Sequence, residues 1–367
     1  MKNKSRQTSS PNNTDTPHAQ NGSCQCFIIP SNVLKRFAKD KDLTTDQRKS
    51  FSDAVLLEKE WRKVRTAKSK FTAIAQQILP TNISATALTA PPAVPIFNCN
   101  HTTSLPGTPV ASPGTSVDPT AKRTYNETNA VAKFYRALFG RNSIDNSGMT
   151  MLSSIHYSVN YNNAFWNGSQ MTYGDGDGSI FLDFTKSTDV IAHELTHGVT
   201  QFTAGLAYTN EAGGLNESIS DVFGSMFRQW RATQKVTSAD WLIGKEIMGP
   251  AAIARGYTCL RDLSNPSAAH CLSPQPIHFS GYHAGMDPHE SSGIPNFAFY
   301  KAAIAIGGNS WVKPGKIWYH ALTTYTPRPN MKMLDFANRT RRAATTLFPT
   351  DPTVYTAVDN AWKAVGL

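Results

Sequence analysis

The stretch His193-Glu194-Leu195-Thr196-His197 sets two imidazoles four residues apart. In an α-helix, positions i and i+4 stand one turn apart on one face, so both rings can reach a single cation. Glu194, one step round from the first ring, is placed to take a proton from water bound to that cation. Glu217 follows in Asn216-Glu217-Ser218-Ile219-Ser220-Asp221 and offers a third ligand. Two His and one Glu leave the fourth position of a tetrahedral zinc for water, as a catalytic centre needs and a structural one does not. Asp221, a further helical turn on, can accept the other ring N–H of His193 and orient it. The plainer reading of Asp221 is an acidic group stabilising the first turn of its own helix. Two histidines packed on a helix by chance are the plainer reading of the HELTH run, and the NESISD run that follows weakens it.

A chain of 367 residues with 40% hydrophobic content suits two catalytic lobes and an appendage. Its net charge of +10 is concentrated at the start: residues 1–70 hold 15 Lys and Arg against 7 Asp and Glu, and the remainder 21 against 19. A near-neutral body argues against nucleic acid as a partner. Residues 1–23, MKNKSRQTSSPNNTDTPHAQNGS, contain no apolar core of a signal peptide. Cytoplasmic synthesis is therefore expected, with any release by a route that needs no signal. No run of about 18 apolar residues offers a membrane span. The five cysteines, at 24, 26, 99, 259 and 271, are odd in number and suggest no disulfide framework. A Cys259–Cys271 bond is the exception to weigh, and neither that pair nor Cys24-x-Cys26 has the CxxC spacing of a structural zinc site.

Residues 1–23 read as a disordered tail. Residues 24–70 read as a helical segment: an apolar anchor, Phe27-Ile28-Ile29-Pro30, a short helix from Ser31, and a longer helix from Thr44, whose Thr44 and Gln47 form a capping box. Phe51, Ala54, Leu57, Trp61 and Val64 make one apolar stripe on it. Residues 71–95, low in charge and Pro-rich at the end, read as a connector with a cleavage site. Residues 96–207 form a β-rich lobe that includes the metal helix, with short runs such as Ser153 to Tyr157 and one helix from about Asn126 to Phe139. Within it YGDGDG, 173–178, reads as a tight turn; counted from Asp175, the fifth and twelfth positions of a calcium loop would be Ser179 and Lys186. Residues 208–367 form an α-helical lobe, with helices expected over Leu215–Trp230, Ile294–Ile306, Trp311–Tyr325, Met333–Leu347 and Thr353–Val365. The irregular stretch 249–293 carries Arg261 and leads into DPHESSGIPN, 287–296.

HYSVNYNNAFWNGSQMTYGDGDG (156–178), DVIAHELTHGVTQFTAGLAYTNEAGGLNESISDVFG (189–224) and HESSGIPNFAF (289–299) stand in order over residues 96–367, which resemble the thermolysin family of zinc metalloendopeptidases. The IIPSNVL anchor on a short prosegment is similar to the protealysin subgroup. The resemblance implies an α+β fold of two lobes, β-rich then α-helical, joined by the HExxH helix, with one catalytic zinc on His193, His197 and Glu217. It implies that Glu194 is the base and that Tyr208 and His289 stabilise the oxyanion. Asn163 and Ala164 would lie on the edge strand that pairs with an extended peptide. Arg261 would bond the substrate carbonyl, and Phe184, Val190, Ile243 and Leu260 would line the S1′ pocket, so that cleavage precedes hydrophobic residues. Without the resemblance, Tyr208 and His289 read as packed residues, and Arg261 as a solvated charge.

Two departures from the family pattern stand out. The paired calcium site has Arg228, Leu242 and Lys245 at its positions, with Asp189 and Asp240 left, so that site is expected to be absent; other calcium sites stay open. The carboxylate partner expected five residues before His289 is Ala284, and Asp287 is the candidate substitute. The reading is a zinc-dependent neutral endopeptidase made as a latent precursor, whose partners are peptide and protein substrates and its own prosegment. A proteinaceous inhibitor stays open. Zinc ligation by Cys24 or Cys26 is a variant of the latency reading. The rivals are a peptide-binding protein that does not cut and an aminopeptidase, which would need an acidic pocket for the free amine.

Overall fold

The computed structural model of the chain describes residues 26–75 and 90–367, the side chains of 64–75 excepted. Six strands, β1 (Cys26–Phe27), β2 (Ile96–Asn98), β3 (Thr108–Pro109), β4 (Ser153–Ile155), β5 (Ala164–Trp166) and β6 (Met171–Tyr173), form one mixed sheet in the order β1-β5-β6-β4-β2-β3. β2/β4 and β4/β6 are parallel and the other pairs antiparallel. The edge strand β1 comes from the N-terminal segment and sets Cys26 opposite Trp166 and Phe27 opposite Phe165. That segment continues as α1 (Ser31–Ala38) and α2 (Thr45–Ala75). The capping box forms: Gln47 N donates to Thr44 Oγ1 at 3.2 Å and Thr44 N to Gln47 Oε1 at 2.8 Å. Phe37 and Phe51 stack at 5.1 Å, and both meet Phe181 of the body edge-on. Trp61 packs on Phe165 at 5.5 Å. Val64 lies among the undescribed side chains, and α2 runs through Lys70 into the stretch read as a connector.

α3 (Pro119–Phe139) begins two turns before the expected Asn126. Its N-cap Asp118 accepts from Thr120 N and Ala121 N, with Pro119 in the first turn. Thr120, Ala121 and Thr124 fill buried positions with small side chains, so the start lacks large apolar residues to mark it. The YGDGDG turn closes as expected, Asp177 Oδ1 accepting from the backbone N–H of Ser179, Ile180 and Phe181.

α4 (Thr188–Gln201) carries the HELTH run and is buried from Asp189 to Thr200. It packs on α5 (Asn210–Arg231), whose Gly224 sits where a Cβ would meet the backbone oxygen of Asp189 at 2.7 Å. The small residue lets the two helices approach closely enough for their side chains to share one ion. α5 starts five residues before the expected Leu215, because Gly213-Gly214 reads as a loop. A Cβ on Gly214 would meet Ser291 Oγ at 2.4 Å.

Beyond α5, β7 (Leu242–Ile243) pairs antiparallel with β8 (Arg261–Asp262), with α6 (Pro250–Ala254) between them. Then follow α7 (Pro288–Ser291), α8 (Gly293–Ile306), α9 (Lys313–Thr323), α10 (Met333–Leu347) and α11 (Pro352–Ala364). These last four helices lie within two residues of their expected bounds. Trp318 stacks on Trp362 at 6.1 Å and meets Phe299 edge-on at 5.0 Å in their core. Among the described residues no helix is long and apolar enough to cross a membrane. Cys99, Cys259 and Cys271 are free, whereas Cys26 is disulfide-bonded, against the expectation of no disulfide.

Candidate active site

α4 and α5 bring His193, His197 and Glu217 to one buried point. His193 Nε2 and His197 Nε2 are 3.0 Å apart, and the Glu217 carboxylate oxygens stand 3.4 and 3.5 Å from them. Two nitrogens each about 2.05 Å from a tetrahedral ion would be about 3.3 Å apart, so the three groups fit zinc. Glu217 Oε2 is buried with no hydrogen-bond partner among the described residues, as a ligand oxygen would be without its ion. Burial drives His197 down to about 3, leaving the neutral ring that a metal requires.

Behind the rings lie groups that orient them. Asp221 Oδ1 faces His193 Nδ1 at 2.9 Å, off the ideal hydrogen-bond line. Asp221 is held in turn by Arg261 and by Asn296 Nδ2, at 2.9 Å. Burial, the largest single influence, works to raise the Asp221 carboxyl, but Arg261 and His193 together outweigh it and hold it down at about 2. His197 Nδ1 faces Asn216 Oδ1 at 2.8 Å and Ser220 Oγ at 3.0 Å. Sequence reasoning missed Asn216, Ser220 and Asn296, although the first two directly precede Glu217 and Asp221 and share their helix.

Glu194 Oε2 accepts from Trp166 N on β5 at 2.9 Å, and Oε1 has no partner among the described residues. Burial, then repulsion from Glu217, pushes this carboxyl well above its ordinary value. Tyr208 donates its hydroxyl to Glu217 and stands 3.3 Å from His289 Nε2. His289 Nδ1 faces Asp287 Oδ1 at 2.8 Å, and Asp287 also caps α7 by accepting from His289 N.

The cleft between the lobes is filled by the chain's own residues 27–29. His289 Nε2 donates to Phe27 O at 2.6 Å. Ile28 N donates to Ala164 O at 3.1 Å, and Arg261 Nη1 to Ile28 O at 3.3 Å. Asn163 takes both sides of the next residue, accepting from Ile29 N at 3.0 Å and donating to Ile29 O at 3.1 Å. Phe184, Val190, Ile243 and Leu260 are buried in the core that also holds Phe27, Ile28 and Ile29. Cys26 brings its sulfur within 4.8 Å of donor atoms of His197 and Glu217.

Away from the cleft, the Arg228 guanidinium lies among carboxylates. It pairs with Asp189 at 3.1 Å, with Asp240, and with Glu246 at 3.6 Å, while Lys245 Nζ stands 3.4 Å from Asp240. Glu246 was not foreseen as a member of this cluster.

Residues 85–201 match the family model of the thermolysin metallopeptidase catalytic domain, and residues 204–367 that of the thermolysin metallopeptidase alpha-helical domain. An extracellular metalloprotease of Pectobacterium carotovorum subsp. carotovorum is 41% identical over 285 residues, which are 74% of this chain and 80% of that protein. The protease PrtS of Photorhabdus sp. (strain Az29) is 40% identical over 285 residues, 74% of this chain and 76% of its own length. The structure of the precursor of protealysin, a metalloproteinase from Serratia proteamaculans, superposes with a TM-score of 0.78 at 33% identity, covering 93% of this chain and 99% of that one.

Proposed function

The chain belongs to the thermolysin family of metallopeptidases, and from that premise we propose that it is a neutral endopeptidase, made as a latent precursor, that cuts on the amino side of hydrophobic residues. The observation that carries this reading is the register of residues 27–29: the five main-chain groups from Phe27 O to Ile29 O each meet a residue to which the family resemblance assigns substrate. A substrate in the same register has its scissile carbonyl at the position of Phe27 O and its next side chain at that of Ile28. Cys26, opposite Trp166, and Ile29, on Asn163, extend this register to either side of the Phe27–Ile28 bond, which suits an endopeptidase.

Zinc on His193, His197 and Glu217 would polarise the scissile carbonyl and acidify a water. Glu194, held by Trp166 N, takes the water proton at its free oxygen and returns it to the leaving amine. His289, oriented by Asp287, donates from Nε2 to the developing oxyanion, with Tyr208 beside it. Arg261 holds the carbonyl one residue on while keeping Asp221 ionised behind His193. In this reading Phe184, Val190, Ile243 and Leu260, buried in the same core as Ile28, line the pocket for the side chain that takes its place; burying a Leu or Phe there contributes roughly 1.5–3 kcal/mol, which gives preference rather than strict selection. The prosegment occupies the same groups and excludes substrate. Arg228 supplies the positive charge among Asp189, Asp240 and Glu246 that calcium would otherwise bring.

The test digests an unfolded protein with the enzyme, freed by a cut within residues 71–95, and maps the new N-termini by mass spectrometry. They should begin with hydrophobic residues, and zinc chelation should stop cutting. Glu194→Gln should keep its zinc but lose at least about 10²-fold in turnover. New N-termini without hydrophobic bias, or undiminished cutting by the Glu194→Gln protein, would reject the reading.

A further inference from the structure

The segments on either side of β8 carry a second set of metal donors outside the cleft, Cys259 before the strand and His270 and Cys271 after it. Cys259 and Cys271 are partners in an isolated parallel bridge, and both are fully buried free thiols. Their sulfurs are 3.9 Å apart. Two thiolates each about 2.3 Å from one tetrahedral ion stand about 3.8 Å apart, whereas a disulfide needs about 2.05 Å. A donor nitrogen of His270 and the two sulfurs lie within 4.8 Å of one another. His270 Nε2 faces Asp262 Oδ2 at 3.1 Å, which leaves Nδ1 for an ion. That is the arrangement of a metal-bound histidine, whose second ring N–H goes to a carboxylate. Asp262 is itself fixed, its Oδ1 accepting from Ser264 N at 2.8 Å, Ser264 Oγ at 2.6 Å and Asn265 N at 3.2 Å.

Main-chain hydrogen bonds hold the donors in place. Thr258 N donates to His270 O at 3.0 Å, Leu272 N to Cys259 O at 2.9 Å and Cys271 N to Ala268 O at 3.1 Å. The set is therefore preorganised, and a bound cation need not order a loop first.

We propose that Cys259, His270 and Cys271 form a binding site for a thiophilic closed-shell cation such as zinc, with Asp262 orienting His270 and water as the fourth ligand at the half-exposed rim. Thiolate and imidazole donors select such ions over magnesium or calcium, which prefer oxygen. The site clamps the segment on which two functional contacts rest. Leu260 N donates to Ile243 O at 2.9 Å beside Arg261, and Leu272 O accepts from Arg36 Nη2 of α1 at 3.0 Å.

The experiment titrates Cd²⁺ into the full chain carrying Glu194→Gln, kept intact and reduced, and follows the ultraviolet thiolate-to-metal charge-transfer band. Only sulfur-bound cadmium gives this band; because the Cys26 sulfur lies within 4.8 Å of donor atoms of His197 and Glu217, every protein in the test also carries Cys24→Ser and Cys26→Ser, which leaves the cleft with imidazoles and a carboxylate alone. The band should appear with one ion bound beyond the cleft ion, and vanish in Cys259→Ser and in Cys271→Ser. His270→Ala, a change at the rim that leaves the buried pair untouched, should weaken binding at least about tenfold. Zinc should displace the cadmium. A band that survives in Cys259→Ser, or no band in the protein that keeps Cys259 and Cys271 with both thiols titratable, would overturn the proposal. So would a mass deficit of two hydrogens that is absent from Cys271→Ser, which marks a disulfide.

Discussion

Arg261 grips Asp221 at two points, Nη2 to Oδ1 at 2.7 Å and Nε to Oδ2 at 2.8 Å, with both side chains buried. The pair joins β8 to α5 and, in the proposed mechanism, links substrate binding to the orientation of His193. A lysine cannot reproduce the fork. Arg261→Lys should lower kcat/KM and weaken zinc affinity about 10-fold or more, because the carboxylate behind His193 loses its support. Zinc competition with a chelator, read beside kinetics, checks this; unchanged zinc affinity in that variant would confine Arg261 to the substrate.

The prosegment's hold should depend on residues outside the cleft. A tethered segment acts at an effective concentration of about millimolar and needs little intrinsic affinity. Intact full-length protein should therefore cut a peptide at least about tenfold more slowly than a chain starting near Ile96, and Phe37→Ser with Phe51→Ser should recover most of the difference. Mass before and after the assay shows whether the chain stayed whole. Equal rates for intact and shortened protein would end the latency reading.

Chelating calcium with a reagent that spares zinc should leave the thermal midpoint in place. Arg228→Ala, by contrast, should cost about 3 kcal/mol, since Asp189 is fully buried and would lose its cation. A clear calcium-dependent rise of the unsubstituted protein's midpoint would contradict the substitution of guanidinium for ion.

His156 sits between two carboxylates, with Nδ1 2.8 Å from Asp175 Oδ1 and Nε2 3.0 Å from Asp118 Oδ2, while His101 Nδ1 stands 3.4 Å from Asp175. The Asp175 hydrogen bond, against burial and with help from Asp118, pushes His156 up to about 9. A raised pKa means stability that is whole below the unfolded value of about 6.5 and lost as pH rises through about 9. Denaturant unfolding should show the protein losing about 1 kcal/mol more than His156→Gln between about pH 7 and pH 10, allowing for solvent screening. Parallel curves for the two would remove this cluster from the account.

The two histidines, Glu194 and Glu217 were legible in the sequence because their meaning lies in offsets within single helices. Asn216, Ser220 and Asn296 were not, since an amide or hydroxyl gains its role only when another helix brings a ring or carboxylate to it, and no spacing encodes that approach. The last four helices announced themselves by apolar period, whereas α3 and α5 began early behind small residues. β1 is two residues long, shorter than one alternation of faces, so nothing in residues 26–27 marked a strand. What placed them was the edge of β5, distant in sequence.

Asn163, Ala164, Arg261 and His289 hold residues 27–29 through main-chain groups that any extended peptide possesses. A mutation that tightened their grip on foreign chains would tighten the grip on the enzyme's own by a similar amount, so appetite and restraint are bound to rise and fall together there. The freedom to set one against the other belongs to α1 and α2, where Phe37, Phe51 and Trp61 lean on the body without touching the chemistry. Selection can move the threshold of release at those rings while leaving the cutting machinery as it is.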